Sequence, residues 1–345
     1  MTFAGKTGIT HMKLFCLTLA LGALLIPSPA LADNAFFSAD GQTVYFLPRF
    51  KSGIIWQADV ASGELEAIPL PKELKGAAPT AIARGGEGEM LLMAGKAAWV
   101  RKEDGTTKRL CDAGPAQEPL NLFIATAPES PVADWLFVTA DDPADTGRQI
   151  FFARKPGTKA FRNVYCRRVG SVGAGTFTKD GRLFFAADGD LWEGSFDKED
   201  EDPDLPAATL IGARIAPVGT LNTDSANGGG MFAGALAAAG EWIYVGLVGH
   251  NMGSILRVPV PSKPLYSDAE AAFPGPQTHL QAMSSTLAKT EVLVENAGRM
   301  GAFAACEIDG KPTVFYRGGI DTEGLGLWLW TSGAKPRRLA IEPEE

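Results

Sequence analysis

Histidine is scarce in this sequence, three residues in 345, and cysteine is hardly commoner at four. That poverty narrows the chemistry on offer. The chain has no Cys-x-x-Cys-His for covalent haem attachment and no His-Glu-x-x-His for a zinc hydrolase. It also lacks a Gly-x-Ser-x-Gly nucleophile elbow and a Gly-x-x-x-x-Gly-Lys-Ser/Thr phosphate loop. Basic residues are outnumbered, 32 against 40 acidic, for a formal net charge of −8. Such a surface repels phosphate backbones and anionic headgroups, so no nucleic-acid partner is expected.

Long hydrophobic runs are missing as well. The run Leu14 to Ile26 has 13 residues, short of a bilayer span. Lys13 precedes it, and Pro27-Ser28-Pro29 and Ala30-Leu31-Ala32 follow. A basic start, a short apolar core and small residues before a cleavage point describe a secretory signal peptide over 1–32. Met12 opens a better-proportioned signal than Met1. Cys16 lies ahead of the apolar core and is not placed like a lipoprotein cysteine. Cleavage after Ala32 leaves one domain over 33–345, removes Lys6 and Lys13, and takes the net charge to −10. A periplasmic or secreted location with no integral membrane segment is expected. Cys111, Cys166 and Cys306 then remain, an odd count that permits at most one internal disulfide and otherwise reads as buried thiols.

What the sequence has in plenty is turns, with 40 glycines and 23 prolines among intact apolar runs. Phe37-Ser38-Ala39-Asp40-Gly41, followed by Thr43 to Phe46, is echoed by Phe177-Thr178-Lys179-Asp180-Gly181 with Leu183 to Phe185. A looser copy runs from Cys306 through Asp309-Gly310 to Tyr316. Asp-Gly between apolar runs signals a hairpin with a two-residue type I′ turn. Recurring short hairpins point to an all-β chain, a β-propeller of four-stranded blades. Six blades are counted, with seven as the alternative. Trp56, Trp99, Trp192 and Trp328 fall at matching points of the third strand of their units. Large rings recurring there fill the wedge between blades rather than form a ligand cage.

The run from Phe37 to Phe46, followed by Trp56-Gln57-Ala58-Asp59-Val60-Ala61-Ser62-Gly63, resembles the TolB-like family of propeller repeats. The match is good in the first unit, fair in the second and fourth, and weak elsewhere. The resemblance implies a fold and transfers no catalytic residue. That family spans exported binding proteins and the propeller halves of peptidases, and no residues remain here for a hydrolase domain beside the propeller.

Strand parity then nominates a face. Connections between first and second strands, and between third and fourth, are tight. The others are long, among them Val218 to Gly230, Gly246 to Gly253 and Pro261 to Thr278. Long loops on one rim of a rigid scaffold are where binding residues gather. Candidate residues there are Asp224 and Asn227 beside Gly228-Gly229-Gly230, His250 with Asn251, and Glu295, Asn296 and Arg299. The acidic clusters at 141–145 and 197–204 lack the order of an EF-hand and read as solvated loops.

Two function classes follow. The leading expectation is a non-catalytic exported propeller that binds a protein or cell-envelope component through its long-loop face and needs no cofactor. The alternative is a calcium-dependent, lactonase-like hydrolase at the channel mouth, with Glu295, Asn296, Asp224 and Asn227 as the oxygen set. No local motif selects a metal.

Overall fold

The computed structural model describes residues 35–48, 54–74, 76–86, 88–116, 119–166, 171–187, 190–196, 209–216, 232–248, 253–262, 289–298, 300–319 and 326–341. Six four-stranded antiparallel units follow one another without exchange of strands. The first comprises β1 (Ala35–Phe37), β2 (Thr43–Phe46), β3 (Ile54–Asp59) and β4 (Leu65–Pro69). The second holds β5 (Pro79–Arg84), β6 (Met90–Ala94), β7 (Ala97–Arg101) and β8 (Thr107–Asp112). The third holds β9 (Asn121–Ile124), β10 (Leu136–Asp142), β11 (Asp145–Arg154) and β12 (Arg162–Cys166). The fourth runs through β13 (Val172–Phe177), β14 (Leu183–Ala187), β15 (Asp190–Phe196) and β16 (Thr209–Ala216). The fifth runs through β17 (Phe232–Ala239), β18 (Trp242–Val248), β19 (Gly253–Pro259) and β20 (Glu291–Val294). The last is β21 (Phe303–Ile308), β22 (Lys311–Gly318), β23 (Gly326–Thr331) and β24 (Arg337–Ile341). This is a six-bladed β-propeller, which settles the count in favour of six. The outer strands of the third and fourth blades also meet in parallel, Tyr165 opposite Thr209 and Cys166 opposite Leu210.

The three Asp-Gly hairpins join β1 to β2, β13 to β14 and β21 to β22, the same inner turn each time. Only the third is the two-residue turn expected, with φ of 50° at Asp309 and 70° at Gly310. In the first, Gly41 alone has positive φ, and the loop is longer. There Ser38 N donates to Thr43 O, while Asp40 Oδ1 accepts from Ser38 Oγ at 2.6 Å and Gln42 N at 3.1 Å. Thr178 and Asp180 repeat that arrangement in the fourth blade. The hydroxyl two residues before Asp-Gly closes an Asx-type loop in place of the tight turn.

Burial follows distance from the axis. Inner strands carry small residues, such as Ala81 and Ala83 on β5 and Ala174 and Gly175 on β13. Further out, Phe137, Phe151, Phe184 and Phe185 are fully buried between blades. Three of the repeated tryptophans satisfy their indole N–H in the same way. Trp99 donates to Ala94 O, Trp192 to Ala187 O and Trp328 to Gly318 O, each at the end of its blade's second strand. The expectation that these rings fill wedges is met by their half-buried places on β3, β7, β15 and β23.

Closure between the last and first blades relies on side chains. Phe37, Phe46, Phe315, Leu327, Leu329 and Leu339 form one buried cluster across that junction. Arg317 donates to Leu47 O and Arg337 to Val60 O, so two guanidiniums tie the sixth blade to the first.

One assignment is corrected. Residues from Pro261 to Thr278 were placed among the long-loop connections. That connection runs between β19 and β20, the third and fourth strands of the fifth blade, and so leaves and re-enters the blade at its tight-turn end. The fourth strand of that blade comes only at Glu291, after a connection of unusual length.

Packing at the hub gives the first test. A Cβ at Gly175 would stand 2.5 Å from the Phe123 ring. Overpacking of this kind costs about 1–3 kcal/mol. Gly175→Ala is expected to lower the urea midpoint accordingly, and adding Phe123→Leu is expected to recover most of the loss.

Candidate functional site

Each blade turns the free edge of its inner strand toward the axis, because β1, β5, β9, β13, β17 and β21 each end their sheet. The channel wall therefore offers backbone N–H and C=O groups without ladder partners on that side. Inside it lies a cavity of about 620 Å³, touched by all six inner strands. Phe36, Phe123, Phe177 and Phe303 give it an apolar lining, with Asn121 and Thr176 as polar points. Arg84 and Lys179 also line it, and no described lining residue is a carboxylate. Gly85, Gly86, Thr126 and Lys179 lie beyond the inner strands' ends, at the turns to the second strands. The described cavity thus runs along the inner strands from their first residues, such as Ala35 and Asn121, to the tight-turn face, where Arg84 and Lys179 stand.

Cys306 on β21 also touches the channel. Burial pushes its thiol up to about 12, with Arg84 pulling slightly the other way and Glu307 adding to the rise. Burial raises the Cys111 thiol as well. Both are free cysteines, and Cys111 is fully inside the core.

A second cavity, about 360 Å³, lies between the first and second blades on the tight-turn side. Phe36 and Arg84 border both cavities. Its Tyr45 hydroxyl is held above the ordinary phenol range by burial first, then by the Asp40 and Glu103 carboxylates; Arg101 opposes them. The phenol is therefore a protonated donor at neutral pH.

Of the residues nominated from sequence, Asp224, Asn227, His250, Asn251 and Arg299 lie outside the described residues. Glu295 and Asn296 are exposed and follow β20, the outermost strand of the fifth blade. Asn296 takes φ of 55°, and Ala297 N then donates to Gly253 O as the chain turns inward toward β21. These two residues thus begin a rim-to-hub connection, and neither is among the channel-lining residues. Among the described residues, no group of three or more His, Cys, Asp or Glu side chains is placed to hold a metal ion. The described channel wall therefore does not fit a calcium site. What sequence reasoning missed are Tyr45 of the first blade, Arg84 and Arg101 of the second, and Lys179 in the inner turn of the fourth. The sequence signal was the repeated hairpin, which holds both Tyr45 and Lys179.

No protein-family model and no curated protein matches the chain. Solved structures do. Regucalcin from Agrobacterium tumefaciens, a calcium-binding protein, is 13% identical, with a TM-score of 0.53 over 91% of this chain and 94% of its own. A gluconolactonase from Xanthomonas campestris is 9% identical, with a TM-score of 0.51 over 86% of this chain and 84% of its own. A luciferin-regenerating enzyme is 9% identical, with a TM-score of 0.53 over 91% of this chain and 96% of its own. At such identities the likeness establishes the propeller fold. It also corrects the leading expectation of a non-catalytic binding disc: the propellers matched over more than four fifths of both chains include a gluconolactonase and a luciferin-regenerating enzyme, so the fold gives no ground for preferring a non-catalytic disc.

Thiol chemistry supplies a test of the channel wall. Because the folded Cys306 pKa stands above its ordinary value, the thiolate fraction at pH 8 is negligible. Iodoacetamide at pH 8 is expected to leave Cys306 and Cys111 unlabelled in native protein and to label both in urea, read by peptide mass mapping. Rapid native labelling of Cys306 would contradict the burial described.

Proposed function

We propose that this chain is a lactonase-like hydrolase whose small substrate occupies the central channel. The observation that carries the reading is the 620 Å³ axial cavity, a volume within the range of small-molecule sites. Whole-length likeness to a gluconolactonase supports it, and regucalcin and a luciferin-regenerating enzyme share the same fold. The TolB-like character of the first repeat is compatible with this scaffold, and the signal-like pattern of 1–32 adds export to the reading.

The chain's own residues supply three parts of such a reaction. Phenylalanine rings from four inner strands exclude bulk water from a bound ring. The free backbone edges point fixed N–H groups inward, donors suited to an oxygen that gains negative charge as a carbonyl is attacked. Arg84 and Lys179, uncompensated by any carboxylate in the described wall, favour the hydroxy-acid anion that ring opening produces. Lys179 is the more useful probe, since it belongs to the channel alone. No described lining residue is a carboxylate that could activate water, and the sequence candidates for that role, Asp224 and Asn227, lie outside the described residues. Calcium enters this reading only with those residues, so no step is routed through it.

A pH-stat screen of aldonic and aliphatic lactones, with calcium and with chelator, tests the reading. Expected is turnover of at least one lactone that Asp224→Asn abolishes. Lys179→Ala is expected to raise KM severalfold while leaving kcat within about twofold. Lactone loss at the buffer rate under every condition would end it.

A further inference from the structure

Two rows of directly opposed side chains face each other across the first blade junction. From the first blade, register places Phe36 opposite Tyr45, Tyr45 opposite Gln57 and Gln57 opposite Glu66, one row across all four strands. From the second blade, Arg84 stands opposite Met90 and Met90 opposite Arg101. Residues opposed in register share a sheet face, so each row is a continuous surface. Toward the other face of the disc, the junction is shut by the apolar cluster of Leu47, Ile55, Leu74, Ile82 and Leu92. On the tight-turn side the rows stand apart, and the 360 Å³ cleft lies between them.

The chemistry of the cleft is graded. Near the hub, the Phe36 and Tyr45 rings are stacked, with centroids 5.0 Å apart and planes at 23°. Outward, Gln57 Nε2 donates to Glu66 Oε2 at 2.5 Å, which ties the amide to the carboxylate. Across from them, Arg101 has its Nη1 buried with no hydrogen-bond partner among the described residues. Other atoms of the Arg101 side chain line the cleft. Glu103 completes the rim: a Cβ at Gly88 would overlap its carboxylate, so the glycine leaves room for that group.

Charge selects the ligand. The cleft is lined by Arg84, Arg101 and Lys102 and by Glu66, Glu89 and Glu103, an even balance of signs. An anion or cation entering it would meet as much repulsion as attraction and would shed its hydration for little return. A neutral molecule with many hydroxyls can donate to the carboxylates and accept from the guanidiniums at once. An aromatic floor adds a surface for an apolar ring face. We infer that the cleft between the first and second blades, which shares only Phe36 and Arg84 with the channel wall, is a binding site for a neutral sugar ring. The ring packs against the open side of the Phe36–Tyr45 stack, and its hydroxyls reach the Gln57–Glu66 pair and Arg101.

Saturation-transfer NMR on the full folded chain tests this with neutral aldopyranoses and their methyl glycosides. Glucuronate and glucosamine serve as charged counterparts. Expected is saturable transfer to at least one neutral pyranose and weaker binding of both charged sugars. Gln57→Ala and Arg101→Ala are each expected to weaken binding about tenfold, the loss of one hydrogen bond to the ring, without a shift in melting temperature. Should Arg101→Ala fold poorly, Glu103→Ala in its exposed turn carries the same expectation. No transfer to any neutral pyranose, equal or tighter binding of the charged sugars, or unchanged affinity in the variants would overturn the assignment. The readout needs no turnover, so it stands apart from the lactone screen.

Discussion

Space narrows toward the axis of a ring of sheets, and the rest of this molecule is arranged around that fact. Where inner strands converge, only small side chains fit, and β5, β13 and β17 are accordingly rich in alanine and glycine. Where the blades diverge, phenylalanine and tryptophan take up the widening gap. The Phe123 ring set against Gly175 marks the boundary between the two regimes. A channel survives because the hub cannot be filled from both sides, and it is bordered by backbone edges because the sheets end there.

That arrangement decides what a site can be made of. The channel wall owes its polarity to main-chain groups and to a few residues just past the strand ends, Arg84 and Lys179 among them. The inter-blade cleft instead owes its character to side chains lined up by register across whole sheets. One scaffold thus provides two kinds of recognition surface, both extending to the face of short turns.

Much of the fold could be read in the chain. Asp40-Gly41, Asp180-Gly181 and Asp309-Gly310 mark equivalent turns, and four tryptophans mark equivalent strands, since a repeat must solve the same packing problem in each unit. The finer geometry of those turns was not legible, because Ser38 and Thr178 divert the backbone through hydrogen bonds that a dipeptide rule does not weigh. The fifth blade misled for a different reason: its third and fourth strands stand more than thirty residues apart, so loop length was credited to the wrong end of the blade. The cleft was invisible at that stage. Phe36, Tyr45, Gln57 and Glu66 look unremarkable one by one along the chain, and only strand pairing sets them in a row.

Each blade is a single uninterrupted segment, and this has a bearing on how such a chain can be rewired. Many rings are latched by borrowing a strand from the opposite end; here the junction of first and last blades is a packed seam like the others, with Arg317 and Arg337 as stitches. Ala35 opens an inner strand and Ile341 closes an outer one, the same pair of places that every blade-to-blade connection joins. The ring therefore has no privileged first blade. A circular permutant that links those two points and opens a different connection would present the same seams in a new order.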